Sequence, residues 1–174
     1  MQIGVISDPH GCLAGLRAAL DWLTSQRVAR ILCAGDVANF GPQPNECIAL
    51  LAARKVATVQ GNSDRAILRP APVGRQADER RAQIAEIDDW CRAQLTSASR
   101  RWLAALPPRL APAPGVLILH GGLGAAEEIV DQDARPALPP DISVVAAGHL
   151  HTPFVMQVEG GTWVNAGSAG RPCD

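Results

Sequence analysis

Ile3-Gly4-Val5-Ile6-Ser7-Asp8-Pro9-His10-Gly11 is an apolar run that breaks abruptly into polar and turn-forming residues. A buried strand ends this way at the carboxyl edge of a sheet, where open α/β folds place their chemistry. On an extended backbone Asp8 and His10, two residues apart, point the same way. A carboxylate oxygen and an imidazole nitrogen on one side of a strand end can share a cation. Alone, an Asp-x-His pair is equally a turn with a capping Asp. The rest of the chain decides between these readings.

Downstream the same pattern recurs. Leu13, Leu16, Ala19, Leu20 and Leu23 are spaced for a helix, with Trp22 and Val28 flanking its end, and Val28–Ala34 reads as a second strand stopping at Gly35-Asp36. The loop Asn39-Phe40-Gly41-Pro42-Gln43-Pro44 precedes a helix over Pro44–Arg54. A third strand, Val56–Gln60, runs into Gly61-Asn62-Ser63-Asp64. Strands alternating with helices imply a largely parallel sheet. Pro70–Arg81 reads as a loop, and Ala82–Leu95 as a helix with Ile84, Ile87, Trp90, Cys91 and Leu95 on one side. Ser97 is placed to cap a short helix carrying Trp102, Leu103 and Leu106. Arg109–Ala113 and Val116–Leu119 form a hairpin that delivers His120. Gly121–Asp141 is mostly loop, Ile142–Ala147 is a strand ending in Gly148-His149-Leu150-His151, and a second hairpin (Phe154–Val158, Thr162–Val164) leads to Asn165-Ala166-Gly167-Ser168.

Composition narrows the options. The 174 residues suit one domain, 1–174, and 47% apolar with 19% charged residues is ordinary for a globular protein. A net charge of −1 argues against a general nucleic-acid or anionic-membrane surface. Neither a signal core nor a membrane-length apolar run is present in the sequence, so a cytoplasmic location is expected. Five cysteines without a Cys-x-x-Cys pair argue for reduced thiols rather than a disulfide frame or zinc knuckle. The four tryptophans are expected to be core or interface anchors.

All four histidines lie in the strand-end clusters, together with Asp8, Asp36 and the Asn62 amide. Scattered structural histidines would not select strand ends so completely, so the clusters point to metal. Mixed oxygen and imidazole donors suit Mn²⁺, Fe, Zn²⁺, Ni²⁺ or Co²⁺ better than Ca²⁺ or Mg²⁺ alone. Seven donors exceed one ion's needs; two ions sharing Asp36, about 3.5–4 Å apart, is the economical arrangement.

The series Asp-x-His, Gly-Asp, Gly-Asn-x-Asp, His-Gly and Gly-His-x-His resembles the calcineurin-like metallophosphoesterases. The stretches Asp36-Val37 through Gly41-Pro42-Gln43-Pro44-Asn45-Glu46-Cys47, Gly61-Asn62-Ser63-Asp64-Arg65 and Val164-Asn165-Ala166-Gly167-Ser168 resemble their small bacterial and archaeal phosphodiesterase branch. The resemblance implies an α/β fold, a four-layer α/β/β/α sandwich of two mixed β-sheets flanked by helices. It implies that Asp8, His10, Asp36 and His151 hold one divalent metal, Mn²⁺ first, and Asp36, Asn62, His120 and His149 the other. Asp36, Asn62 and His120 then also serve catalysis, in which a metal-bridging hydroxide attacks a phosphodiester, whether small molecule or nucleotide. A non-catalytic interaction scaffold on the same fold and a phosphomonoesterase are the alternatives.

Three departures from the family pattern matter. Ser63 stands where many relatives carry a histidine after the Asn; its hydroxyl is too weak an acid to replace imidazole, so activated or aryl-like leaving groups, or protonation by metal-bound water, are expected. Asp64 then caps the following helix or pairs with Arg65. The arginine that follows Gly-Asp in protein phosphatases and dinucleoside tetraphosphatases is replaced by Val37-Ala38-Asn39, which disfavours those activities. Relatives also continue for several strands beyond Asn-x-Gly-Ser, so either those closing strands are dispensable or the sheet edge they would cover is buried by another copy in a homo-oligomer. Arg65, Arg69 and Arg75 are candidates to meet phosphate and Asn39 to touch substrate, against solvated-loop and turn roles. Asn165 and Ser168 could support the ligands, Cys12 is a small hydrophobe, and Pro9 would hold Asp8 and His10 at a set angle.

Overall fold

The computed structural model describes residues 2–69 and 79–173. Its first sheet is parallel throughout: β1 (Ile3–Ile6), β2 (Arg30–Cys33) and β3 (Ala57–Thr58), in that spatial order. Its second sheet, mixed, comprises β4 (Arg109–Ala113), β5 (Gly115–Leu119), β6 (Ile142–Ala147), β7 (Pro153–Val158) and β8 (Gly161–Ala166), ordered β4-β5-β6-β8-β7. In it β5, β6 and β8 are mutually parallel, with antiparallel β4 and β7 on the edges. Parallel strands put their carboxyl ends on one rim, so the polar clusters after β1, β2, β3, β5, β6 and β8 gather there.

The helices are α1 (Leu13–Ser25), α2 (Pro44–Ala53), α3 (Asn62–Ala66), α4 (Glu79–Gln94) and α5 (Ser97–Ala104). Leu16 and Leu20 of α1, Leu51 of α2, Cys91 of α4 and Leu103 of α5 join Ile6 and Cys33 in one apolar layer outside the first sheet. The i, i+4 spacing of Leu16 and Leu20 keeps both on the buried face. Between the sheets lie Leu32, Ala34, Val59, Ile118 and Ala146. Beyond the second sheet Trp163, Val145 and Leu117 are covered by Val130 and Leu138, with Leu123 and Ala134. That outer layer comes from residues 121–141, which contain no helix.

Several sequence expectations shift. The second and third strands are one or two residues shorter at each end than the apolar runs suggested. The helix expected over Ala82–Leu95 begins earlier, so Glu79–Arg81 are helical rather than loop; the rest of the expected Pro70–Arg81 loop, with Arg75, lies outside the described residues. Thr96, not Ser97, caps α5, its hydroxyl accepting from the Ser99 N–H at 3.1 Å. Trp163 is fully buried and Trp102 packs on the core, whereas Trp22 and Trp90 stand 62% and 46% exposed. No described helix is long and apolar enough to cross a membrane.

Candidate metal centre

The backbone builds the site before any side chain acts. Past the end of the β1–β2 ladder, Asp8 N–H donates to Gly35 C=O, His10 N–H to Asp36 C=O and Gly11 N–H to Val37 C=O, at 2.9–3.0 Å. These bonds lock the loop after β1 to the loop after β2. Gly148 N–H donates to His120 C=O, and Ala169 N–H donates to Ser7 C=O, which ties the end of β8 across to β1. The expected extended backbone at Asp8 and His10 is absent. Asp8, His10, Asp36, His149 and His151 all have left-handed φ, between 45° and 73°. Non-glycine residues adopt that region at a cost that surrounding structure must hold in place, and such strain concentrates at functional sites. Convergence comes from stitched turns, with Pro9 between two left-handed residues.

Close approach adds to this. A Cβ on Gly61 would run into the Asp36 carboxylate and backbone nitrogen, and one on Gly148 into Ser7 Oγ and the Asp8 carboxylate. Glycine lets the loops after β3 and β6 touch the Asp36 and Asp8 carboxylates directly.

The donor atoms then fall into a small buried volume. Asp8 Oδ1, His10 Nε2 and His151 Nε2 form one group, with Asp8 Oδ1 3.6 Å from His10 and 3.3 Å from His151, and the two imidazole nitrogens 3.0 Å apart. Asp8, Asp36 and His120 form a second group. Asp36 Oδ2 lies between the histidines, 3.3 Å from His120 Nε2 and 3.7 Å from His10 Nε2. The Asn62 Oδ1 atom is 2.9 Å from His120 Nε2. His149 stands one ring away, edge-on to His120 with centroids 5.2 Å apart. All seven expected ligands are thus brought to one rim.

Several of the candidate ligands are held from behind. His120 Nδ1 lies 2.7 Å from Ala34 C=O, a donor bond that leaves Nε2 as the free lone pair facing Asp36 and Asn62. Asp8 Oδ2 accepts from Ser7 Oγ and from the His149 N–H. Asp36 accepts twice from Ser63, its N–H at 2.9 Å and its Oγ at 2.8 Å. Asn165 donates to Gly148 C=O and accepts from Gly167 N–H, bracing the loop that carries His149. Ser168 Oγ donates to Asp8 C=O at 2.7 Å. Asp64 caps: it accepts from Ala38 N–H and Gly61 N–H and does not reach Arg65.

The electrostatics fit a cation. Asp8 Oδ1 is buried without a hydrogen-bond partner among the described residues while facing two imidazole nitrogens. Burial pushes His10 and His149 below their ordinary values, which favours neutral rings with lone pairs available. Burial alone would raise the Asp36 carboxyl, but the charge and hydrogen bond of His120 hold it well below the usual carboxylate range. Reciprocally, His120 is raised despite its burial, chiefly by Asp36. Burial, then the Asp36 charge, pushes Asp64 up. Neighbouring acceptors that cannot satisfy one another, behind bonded supports, are what a divalent ion needs.

The substrate candidates fare differently. Asn39 is 1% exposed, and its amide donates to Asp88 on α4 at 2.6 Å while accepting from Phe40 N–H. It shapes the loop instead of meeting solvent. Arg65 pairs with Glu127 and, with His120, lines a cavity of about 180 Å³. Nothing in Ala169-Gly170-Arg171-Pro172 marks Arg171 in the sequence. Its guanidinium sits 4.4 Å over the Phe40 ring, which is in turn edge-on to His10 at 5.1 Å.

Residues 1–174 match the calcineurin-like phosphoesterase superfamily domain. An uncharacterized protein of Methanocaldococcus jannaschii is 26% identical over 99% of this chain and 78% of its own length. Among solved structures, a metallophosphoesterase from Sphaerobacter thermophilus superimposes with a TM-score of 0.76 at 25% identity, covering all of this chain and 79% of that one. A phosphoesterase from E. coli superimposes with a TM-score of 0.61 at 22% identity over 99% of this chain and 82% of that one, a likeness of fold.

Proposed function

Because the chain belongs to the calcineurin-like phosphoesterase superfamily, we propose that it is a dinuclear metal-dependent phosphoesterase acting on phosphodiesters. The observation that carries this reading is the buried convergence of Asp8, His10, Asp36, His120 and His151, with Asp8 Oδ1 left unpartnered among them. Asp8, His10, Asp36 and His151 would hold one cation and Asp36, Asn62, His120 and His149 the other, Mn²⁺ being the first choice. Bound there, two divalent ions supply a water nucleophile near neutral pH and neutralise charge on the phosphate oxygens.

The chain's own residues do the rest. Ala34 fixes the His120 tautomer through Nδ1, so that Nε2 faces Asn62 and Asp36. Ser63 holds both oxygens of Asp36; with its hydroxyl pointed at a carboxylate and far from neutral acidity, it donates no proton to a departing alkoxide. Solvent must supply that proton, which favours esters of acidic, aryl-like alcohols.

The test is hydrolysis of bis-p-nitrophenyl phosphate and p-nitrophenyl phosphate with Mn²⁺, alongside Asp36→Asn and His120→Ala. Faster turnover of the diester, lost in both variants, is expected. Absence of metal-dependent turnover on either ester sinks the enzyme reading in favour of a scaffold, and activity persisting in both variants sinks the assigned site.

A further inference from the structure

Beside the metal centre, on the α4 side, lies an open cleft of about 380 Å³ lined by Phe40, Gly41, Pro42, Glu86, Ile87 and Trp90. One wall is the loop after β2, the other a face of α4. Ile87 and Trp90 are three apart, so they stand together on the helix surface, with Ile84 a turn earlier and 37% exposed. A helix with one buried residue, Cys91, has no packing reason to present that apolar face to water.

The position of the cleft identifies its occupant. Phe40 belongs both to this wall and to the metal centre, through its edge contact with His10. Asn39 and Phe40 both have left-handed φ, 76° and 64°, and the Asn39–Asp88 hydrogen bond ties that turn to α4. A bulky aromatic residue rarely adopts this conformation. Here it places an aromatic ring between a candidate metal ligand and an exposed tryptophan. Arg171 over Phe40 puts a guanidinium at the same junction. Phe40 thus joins a candidate donor for a phosphate's cations, through its contact with His10, to the aromatic and aliphatic walls of the cleft, with the Arg171 guanidinium over its ring.

We infer that this cleft binds the flat aromatic group of the phosphoester, an aryl ring or a nucleobase, against Phe40 and Trp90 while the phosphate lies at the metal centre. The inference rests on the phosphoesterase reading and deepens it by naming the substrate class. It is consistent with Ser63: a site without a general acid works best on acidic alcohols, and phenols are such alcohols. Glu86 at the cleft lining offers an acceptor to an exocyclic amine, a feature that a base would use and a phenyl ring would not.

The experiment uses two matched pairs as inhibitors of Mn²⁺-dependent bis-p-nitrophenyl phosphate hydrolysis: phenylphosphonate against methylphosphonate, and adenosine 5′-monophosphate against ribose 5-phosphate. Stacking predicts that the aromatic member of at least one pair binds about tenfold tighter or better. The pair that shows the preference tells aryl ring from nucleobase. Trp90→Ala should reduce the preference to within about threefold and Trp90→Phe should keep most of it, while the small members' inhibition constants move less than twofold. Trp90 is half-exposed, so neither change should unfold the protein, which circular dichroism checks. Equal inhibition within both pairs, or a preference unmoved in Trp90→Ala, overturns the inference. A second readout needs no turnover: quenching of tryptophan emission by adenosine 5′-monophosphate or phenylphosphonate in the metal-free protein, lost in Trp90→Phe. Quenching without any metal-dependent hydrolysis would leave the cleft standing and remove the phosphoesterase reading; hydrolysis without quenching or preference would do the reverse.

Discussion

The metal centre and the α4 cleft share Phe40 as a wall, yet they are built by opposite means. The candidate centre is polar, nearly sealed and fixed by backbone: five left-handed candidate ligands, on loops bonded to one another. The cleft is apolar, open and made of side chains on a helix with a single buried residue. Chemistry that must place charge within an ångström is entrusted to loops that cannot move independently. Recognition of a flat group tolerates a surface that can adjust.

The strongest way to break this contrast is at Asp36. Proposed to touch both cations, it should, as Asp36→Ala, lose about a thousandfold or more in kcat and bind fewer than two metals per chain by elemental analysis. Full stoichiometry in that variant would remove Asp36 from the centre. Gly61→Ala tests the sealed packing instead. Its Cβ has no space beside Asp36, so a loss of about 2–4 kcal/mol in urea unfolding is expected, with metal affinity falling alongside. Ser63→Ala should be milder, weakening metal binding about 10- to 100-fold by calorimetry, because it leaves the ligand but removes one of its supports.

Legibility followed the same division. Asp8, His10, Asp36, Asn62, His120, His149 and His151 could be read because parallel strands deliver their ends to one rim, so position along the chain stands in for position in space. The turns that orient them could not: nothing in Asp8-Pro9-His10 distinguishes an extended backbone from the left-handed one observed. Of the supports, Asn165 and Ser168 could be named from their motif, whereas the bonds of Ser7 and Ser63 to the carboxylates could not. Phe40, Trp90 and Arg171 were illegible as a group. They come from a loop, a helix and the chain's end, joined by tertiary packing that no periodicity encodes. Asn39 shows the converse, a polar residue beside a motif whose burial against Asp88 withdraws it from substrate.

The gentlest probe of the comparison is the thiols. Cys33 is fully buried at the end of β2, two residues before Gly35, and burial pushes its thiol far up. Cys47 on α2 is pushed up to about 12 and Cys91 on α4 to about 11, again chiefly by burial, while Cys173 is exposed. The thiolate is the reactive form, so at pH 8 a buried thiol reacts only when its surroundings open. Cys173 should therefore alkylate first, followed by the half-buried Cys12. Of the buried three, Cys91 should lead, since opening α4 exposes little apolar surface, and Cys33 should come last, since freeing it means unstitching the loops of the metal centre. Peptide mass spectrometry after timed iodoacetamide labelling reads this order directly. The sign of the pH effect follows: an unfolded chain releases thiol protons above about pH 8.5 that the folded one retains, so stability should fall as pH rises past that point. Mn²⁺ should slow Cys33 more than Cys91, because ions held by the proposed ligands would tie together the loops around the first and not the helix that carries the second; equal protection of both would mean that centre and cleft open as one unit.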